Sequence, residues 1–404
     1  MRDHSSHRIA TRAQAVNGLL ERCNFHRRVE EVDLWDAFDR VLAGDVFSEL
    51  TLPNKPTSRM DAIAVHFDDF AHGMPDTHGW RRGREFEFCN TGIAMPDGFD
   101  TAIRIEDVEV HDDGTVRVLS VPHERGEMTS PVGALIRKGT LLARRGARLT
   151  PTLLALFTQG GVLRVPVVVP PTVVFIPTGN ELVDPCAEPP LGKNVDSNSI
   201  MICGKLAAWG AHPVRHDIIP DDRAQILSAL EEAAATADFI VVNAGSSKGS
   251  DDWTIELLEE YGEVLNHETD QGPGRHSSSS IFHGTPVVGI SGPPVGAEFT
   301  ADWFLKPVID AFLGVDEPAP PVLYAYLTED VPVRPRQFNV IKRVRLFRDD
   351  DGYLMAEPLP MESPILKDCD RANAFLVLRQ DCTGYQAGDM VEVELRWPYS
   401  MLGV

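Results

Sequence analysis

The stretch Val241–Thr254, VVNAGSSKGSDDWT, decides the fold of this chain. It reads as a buried strand that runs into a Gly/Ser/Lys loop and then into a helix. Such a joint directs backbone N–H groups and the positive end of the helix dipole at one place, which favours an anionic ligand. Lys248 adds a positive charge there. The hydroxyl donors of the loop are Ser246, Ser247 and Ser250.

Two aspartates, Asp251 and Asp252, close this loop and could hold Mg²⁺ or cap the following helix. The loop matches neither the GxxxxGK[ST] phosphate loop nor the GxGxxG dinucleotide turn. When this segment is considered alone, a solvated loop with an Asp helix cap is as good an interpretation as an anion site.

Two further segments have the same pattern of a buried strand followed by a loop rich in small and polar residues. Thr172–Ile176 opens into PTGNEL, and Pro286–Ile290 opens into SGPPVG before a helix over about 297–313. Amphipathic helices are predicted between them, over about 197–209 and 222–236. This alternation predicts a doubly wound parallel sheet with helices on both faces. Because loops after parallel strands gather at the carboxyl edge of a sheet, we expect the three loops to line one pocket.

The loops carry a resemblance. Five segments resemble, in order, elements of the molybdopterin molybdenumtransferase family, which includes the gephyrin E domain. The segments of this chain are PTGNEL, DSNSIM, AGSSKGSDDWT, GPGRH and GISGPPVG. The family elements that they resemble are PTGDEL, SNS, GGVSxGDxD, PGKP and GLPGNPxS. Upstream, SRMD at 58–61 and TGIAMPDGFDTA at 91–102 resemble its S-x-MDGYA and TGAxxPxGADAV segments. The match runs from about Ala10 to the C-terminus, so the chain is identified as a divergent member.

The resemblance implies an enzyme that inserts molybdate into adenylylated molybdopterin, with Mg²⁺ and with release of AMP. It implies Asp61, Glu181 and Asp252 as catalytic residues, and Asp251 and Asp252 as metal ligands. The residues implied in substrate binding are Thr91, Thr178, Gly179, Ser197, Asn198, Ser199, Gly245, Ser246, Ser247, Lys248, Gly249, Arg275, Ser291 and Gly292. The alternatives are a surface Glu at a helix end for Glu181, a turn residue for Asp61 and a helix cap for Asp252.

The resemblance also implies partners. In the family, the small β domain of one subunit faces the α/β pocket of the other, so we expect a homodimer with a shared active site that Asp61 and Thr91 complete in trans. Molybdopterin adenylyltransferase is the implied upstream partner.

Composition restricts the classes of partner. The chain has 404 residues, 43% of them apolar, and a formal charge of −22. This charge argues against nucleic acid and anionic membranes as partners. Six cysteines without a CxxC pair, and no apolar signal core or membrane span, favour a reducing cytoplasmic location.

The pattern of predicted elements divides the chain into five parts. N-terminal helices at about 9–22 and 33–42 occupy residues 1–51, and the first is expected to pack on the α/β domain. A small β insertion spans 52–122, and a linker region over 123–168 contains a helix at 150–157 that Thr150 caps and Pro151 begins. The α/β molybdopterin-binding domain spans 169–316. A C-terminal β barrel or sandwich spans 317–404.

The chain departs from the family pattern in the last two loops. Pro293 and Gly296 stand where GLPGNPxS has Asn and Ser, and Arg275 replaces the Lys of PGKP. We therefore expect weaker molybdate binding than in a member that keeps both donors, with pterin binding less affected. Two functions stay open at this point. One is a divergent transferase, and the other is a carrier or sensor that binds molybdopterin without inserting metal. A receptor-clustering scaffold is a third, for which no sequence signature is present.

Overall fold

The computed structural model describes residues 9–243, 253–315, 322–333, 337–360, 366–369 and 371–396. The chain forms two compact units, one of residues 1–29 with 168–404 and the other of residues 30–167. Seven α-helices occur in the described residues: α1 Arg12–Arg22, α2 Pro151–Gln159, α3 Asn198–Ala208, α4 Arg223–Ala234, α5 Trp253–Tyr261, α6 Pro294–Thr300 and α7 Lys306–Leu313. None of these described helices is both long and apolar enough to span a membrane.

The first unit is built on a six-stranded sheet. Its strands, in chain order, are β1 Thr172–Pro177, β2 His212–Arg215, β3 Phe239–Asn243, β4 Gly262–Asn266, β5 Ser278–Phe282 and β6 Thr285–Ile290. They lie in the order β2-β1-β3-β6-β5-β4. The pairs β2/β1, β1/β3 and β3/β6 are parallel, which confirms the predicted doubly wound arrangement for the strands that carry the three loops.

The far edge of this sheet adds two strands, β4 and β5, that the sequence analysis did not predict. Strand β5 is antiparallel to both β6 and β4. The cause is local, because Phe282 pairs with Thr285 and leaves His283 and Gly284 as a two-residue turn. Both have positive φ, 48° and 85°, and this is the turn geometry that matches the twist of a hairpin.

Helices cover both faces of the sheet. On one face, α4 and α5 pack on alternate strand residues that share a buried apolar cluster; the strand members include Val174, Ile176, Ile240, Val242 and Val287. The residues between them, such as Val173, Phe175 and Val241, are also buried and point to the opposite face. That face carries α3 against β1 and β2, and α6 against β6. This two-sided burial explains why the strands read as continuous apolar runs.

The predicted helix over about 297–313 is longer and less regular than expected. It begins at Pro294, and the chain from Ala301 to Leu305 forms a π-helical turn between α6 and α7. It ends at Gly314, where φ is +70°. Helix α1 begins later than predicted because Ile9–Ala10 forms a short strand beside Glu268–Thr269, and Thr11 with Gln14 forms a capping box.

The second unit consists mainly of short strands. These are Val46–Phe47, Thr57–Ser58, Ala62–Val65, Phe86–Cys89, Thr101–Arg104, Val108–Val110, Val116–Val118, Thr129–Ser130 and Leu141–Ala143; Val29–Asp33 and Arg164–Val168 lie where the chain enters and leaves the unit. Ala62–Val65 is the central strand of a three-stranded antiparallel sheet. Thr150 caps α2 and Pro151 begins it, as predicted.

The predicted helix at Asp33–Leu42 is wrong. Only Leu34–Asp36 forms a single 3₁₀ turn, and the side chain of Asp33 makes no capping hydrogen bond. Asp39 has a φ of +58°, which an α-helix cannot accommodate. Beyond it, Val41 and Leu42 form isolated β-bridges with Arg148 and Val167.

The C-terminal part of the first unit is a closed barrel. Its strands are β7 Leu323–Leu327, β8 Asn339–Arg348, β9 Leu354–Pro358, β10 Ala374–Leu378 and β11 Met390–Leu395. They pair as β8-β9-β7-β11-β10, and β10 returns to β8, so the sheet has no open edge. The barrel form of the prediction is therefore correct. Gln271–Gly272 adds a short parallel strand to β8.

A buried ionic cluster lies in the first unit between the last barrel strand and the helices of the α/β part. The Arg396 guanidinium donates a short hydrogen bond to Glu298 of α6, and its Nε lies 3.7 Å from Asp302 Oδ2. Lys205 of α3 donates to the other oxygen of Asp302. Burial raises the pKa of Asp302, while the charges of Lys205 and Arg396 act in the opposite direction.

Candidate functional site

A cavity of about 520 Å³ lies at the carboxyl edge of the α/β sheet. The parallel strands β1, β3 and β6 end here at Pro177, Asn243 and Ile290. The lining residues come from the segment between β1 and α3, from the first residue of α3, from the last residue of β3, and from the loop after β6 with the first residue of α6: Glu181, Leu182, Asn194, Val195, Asp196, Ser197, Asn198, Asn243, Gly292, Pro293 and Pro294. The position agrees with the general rule for ligand sites in open α/β sheets.

Asn198 joins these loops. Its Nδ2 donates to Asn243 Oδ1 at 3.0 Å and to the Gly292 carbonyl at 2.8 Å. Thr178 Oγ1 donates to the carbonyl of the same Asn243 at 2.8 Å. Asn243 therefore ties the ends of three segments together, although sequence reasoning did not select it. The available signal was a polar residue at the end of the buried run FIVVN.

Among the described residues, two buried polar atoms near the cavity have no hydrogen-bond partner. They are Asn198 Oδ1 and Ser291 Oγ. The exposed fractions of these residues are 4% and 8%. Because an unpaired buried polar group is costly and rare, each needs an explanation, and a ligand that pairs with it is one.

The first turn of α3 is fixed by Asp196, another residue that sequence reasoning missed. Asp196 accepts a 3.0 Å hydrogen bond from the Ser199 backbone N–H and a short one from Ser199 Oγ. Arg215 donates to the same carboxylate at 3.1 Å. Ser199 is thus engaged within the protein, whereas Ser197 makes no capping bond, is exposed and lines the cavity.

Glu181 lies at the cavity with an exposed side chain. Its carboxylate folds back over Gly179, where a Cβ would lie 2.7 Å from Oε2 and 2.8 Å from Oε1. The φ of Gly179 is +143°, a conformation that side chains disfavour. Gly179 therefore makes room for this carboxylate. The neighbouring Lys193 donates from Nζ to the Asn180 carbonyl at 2.5 Å.

Arg275 points elsewhere. Its guanidinium donates to Glu268 Oε2 at 3.1 and 2.9 Å and lies 5.4 Å from the centre of the Phe338 ring. It is not among the described residues that line the cavity. The preceding residue, Gly274, does approach the loop after β6, because a Cβ on it would lie 3.1 Å from the Gly296 carbonyl oxygen.

Asp61 and Thr91 lie together in the second unit. Asp61 Oδ1 accepts from the Thr91 backbone N–H at 2.9 Å and from Thr91 Oγ1 at 3.2 Å, and both residues are exposed. The nearby Cys89 is buried, and this burial raises the pKa of its thiol, with a further rise from the Asp61 charge. The raised pKa disfavours the thiolate form of Cys89, the form that acts as a nucleophile.

The remaining predicted residues, Gly245, Ser246, Ser247, Lys248, Gly249, Asp251 and Asp252, lie outside the described residues. Within the described part of the chain there is no group of three or more His, Cys, Asp or Glu that could hold a metal ion.

Comparison with known families accounts for most of the chain. Residues 10–161 match the MoeA N-terminal region (domain I and II), residues 174–311 match a probable molybdopterin binding domain, and residues 324–395 match the MoeA C-terminal region (domain IV). The chain belongs to the molybdopterin molybdenumtransferase family. The resemblance read from the motif loops is thereby confirmed.

Individual members of the family match over nearly their whole length. The molybdopterin molybdenumtransferase of Bacillus subtilis is 29% identical, over 94% of this chain and 95% of its own. That of Haemophilus influenzae is 25% identical, over 96% and 98%. A crystal structure of the molybdopterin biosynthesis moeA protein from Pyrococcus horikoshii is 25% identical with a TM-score of 0.78, over 96% of this chain and 100% of that one.

Proposed function

We propose that this chain is an enzyme that inserts molybdate into adenylylated molybdopterin and releases AMP. The observation that carries the proposal is the cavity at the carboxyl edge of the sheet, where two motif loops and the start of α3 are joined by the hydrogen bonds of Asn198. Full-length relatives named molybdopterin molybdenumtransferase support the same reaction.

Each of the described residues at this site has a proposed role. Asn198 Oδ1 and Ser291 Oγ have no hydrogen-bond partner in the described part of the chain; in the proposed site, Asn198 Oδ1 accepts a hydrogen bond from a pterin N–H and Ser291 Oγ donates one to an oxyanion. Of the two carboxylates that line the cavity in the described residues, Asp196 is engaged with Ser199 and Arg215. Glu181 is then the residue proposed to take a proton from the water that cleaves the diphosphate bond and releases AMP.

Mg²⁺ is a further part of the proposal. Asp251 and Asp252 are the residues proposed to hold it, and the ion would neutralise charge on the phosphates of the substrate. We also propose a cytoplasmic enzyme that receives its substrate from molybdopterin adenylyltransferase.

The direct test is conversion of adenylylated molybdopterin and molybdate to active cofactor, measured with purified protein as AMP release and as reconstitution of an apo molybdoenzyme. We expect turnover that depends on molybdate and on Mg²⁺. If the protein binds the pterin tightly but never transfers metal, the carrier function replaces the enzyme.

We further propose a homodimer in which Asp61 and Thr91 of one subunit complete the cavity of the other. Mixing Asp61→Ala and Glu181→Ala subunits tests this arrangement. If the residues act in trans, half of the dimers are mixed and each has one intact site, so activity should recover to about a quarter of the wild type. If they act within one subunit, every site carries a defect and no activity returns. A monomer in light scattering would exclude the arrangement.

A further inference from the structure

Two short strands form one wall of the cavity. Leu182–Val183 pairs in parallel with Asn194–Val195, and we call these two segments the strand pair. Residues of both segments line the cavity. The backbone N–H of Asn194 also donates to the carbonyl of Glu181 at 2.8 Å. The strand pair therefore positions the backbone of Glu181 as well as the wall beside it.

An aspartate follows each strand of the pair, and one arginine binds both aspartates. Asp184 follows the first strand and Asp196 follows the second. Arg215, the last residue of β2, donates from Nη2 to Asp184 Oδ1 at 2.5 Å and to Asp196 Oδ2 at 3.1 Å. The side chain of Asp196 is 1% exposed, and that of Arg215 is 31% exposed. Because neighbouring carboxylates repel each other, the shared guanidinium holds the ends of the two strands together.

The bond between Arg215 and Asp196 extends to helix α3. The same carboxylate accepts a hydrogen bond from the Ser199 backbone N–H at 3.0 Å and a short one from Ser199 Oγ. Ser197 and Asn198, which come directly before Ser199, line the cavity. Arg215 is thus connected, through two carboxylates, to both the strand pair and the start of α3.

We propose that Arg215 is a positioning residue of this enzyme, which holds the strand pair and the start of α3 in the arrangement that binds the substrate. The inference rests on the proposed function. Arg215 is not among the described residues that line the cavity, so it acts through Asp184 and Asp196.

A positioning role has a kinetic signature. Without the guanidinium, the cavity wall is in the binding arrangement for a smaller fraction of the time, and the apparent affinity for the substrate falls by that fraction. A saturating concentration of substrate restores the arrangement. Loss of Arg215 should therefore raise KM and leave kcat nearly unchanged.

The test uses three variants and a matched control. Arg215→Met removes the charge, and Arg215→Lys keeps the charge but loses the planar fork that binds two carboxylates. Asp184→Asn weakens one of the two contacts at a side chain that is 73% exposed. Arg223→Met is the control, because Arg223 on α4 pairs with Glu260 at 2.5 Å and is not among the described residues that line the cavity.

Two quantities are measured for each protein. The first is KM and kcat with adenylylated molybdopterin as the varied substrate. The second is backbone hydrogen exchange over residues 181–199, compared with β1 and β3, in protein without substrate. Exchange reports local opening and does not depend on turnover.

For Arg215→Met, we expect KM to rise about tenfold or more, the effect of losing one charge-assisted hydrogen bond, and kcat to stay within about threefold of the wild type. The amides of Asn194 and Asp196 should exchange about tenfold faster, whereas those of β1 and β3 should be unchanged. Asp184→Asn should show smaller changes in the same direction. Arg223→Met should behave like the wild type.

Three results overturn the inference and leave the proposed function intact. The first is a wild-type KM in Arg215→Met or, if that variant does not fold, in both Arg215→Lys and Asp184→Asn. The second is faster exchange throughout the sheet, because the role of Arg215 would then be stability alone. The third is an Arg215→Lys variant with normal KM but fast exchange over 181–199, which would assign the effect to charge. A wild type without turnover overturns the proposed function, whereas unchanged exchange in Arg215→Met overturns the positioning role at any level of activity.

Discussion

The cavity edge and the ionic cluster of the first unit both bury polar groups, but they treat them differently. In the cluster, Arg396 and Lys205 bring counter-charges to Glu298 and Asp302 from within the chain. At the cavity edge, Asn198 Oδ1 and Ser291 Oγ are buried and find no hydrogen-bond partner within the described ranges. Because desolvation has to be compensated somewhere, the first arrangement serves the fold, and under the proposed function a ligand completes the second. Loss of a cluster residue should therefore cost stability, and loss of a cavity residue should cost binding or turnover.

The largest effect is expected for Arg396→Met. The side chains of Arg396 and Glu298 are only 11% and 7% exposed, so the variant leaves Glu298 buried without its partner. We expect the free energy of unfolding to fall by about 3–5 kcal/mol in urea denaturation. Arg12→Met is the control, because the Arg12–Glu394 pair is 28% and 42% exposed and is expected to contribute less than about 1 kcal/mol. Equal losses in both variants would remove the distinction between buried and surface pairs.

At the cavity, Glu181→Gln should reduce turnover and leave stability almost unchanged. The exposed side chain contributes little to packing, so unfolding should change by no more than about 0.5 kcal/mol. Turnover should fall about 100-fold or more if the carboxylate accepts a proton in the reaction. Glu188→Gln, at an exposed position a few residues further along the chain, is the matched variant and should keep full turnover. Unchanged turnover in Glu181→Gln would contradict the proposed role.

Asn198→Ala should lower both stability and ligand binding, because Asn198 holds structural hydrogen bonds and also lines the cavity. It loses hydrogen bonds to Asn243 and Gly292 and the unpaired Oδ1. We expect the free energy of unfolding to fall by about 1–3 kcal/mol and pterin affinity to fall as well. Asn194→Ala changes an exposed residue of the same cavity and should leave stability unaltered. A purely structural Asn198 would lower stability without changing the affinity of the folded protein.

The smallest effect concerns pH. Burial raises the pKa of Asp302 above its ordinary value, although the charges of Lys205 and Arg396 act in the opposite direction. The stabilisation that this group contributes is therefore present at low pH and is lost as pH rises from about 4 through the folded pKa. The difference in unfolding free energy, wild type minus Asp302→Asn, should become less positive over that range. A difference that grows with pH would mean that Lys205 and Arg396 dominate and lower the pKa instead.

Sequence patterns predicted those elements of the fold that depend on residues close together in the chain. Buried runs such as TVVFI and PVVGI became parallel strands because both of their faces are covered, and Thr150 with Pro151 began α2 as their side chains require. The hairpin at His283–Gly284 escaped notice although a Gly in the second position is its usual signal.

The site was harder to predict for a physical reason. Motif positions identified Thr178, Glu181 and Asn198, but their partners are set by tertiary contacts. Asn243 receives its role from the adjacent ends of β1 and α3, and Asp196 receives its own from Arg215 on β2.

The two N–H groups of the Asn198 amide have a mechanical consequence. One is committed to the end of β3 and the other to the loop after β6, while Asn198 itself stands in the first turn of α3. A ligand that pushes the loop outward must therefore either break the 2.8 Å bond to Gly292 or pull the helix with it. The amide therefore couples the loop to the helix. We expect the loop and the helix to move together between two positions when the cavity opens and closes, rather than to fluctuate independently.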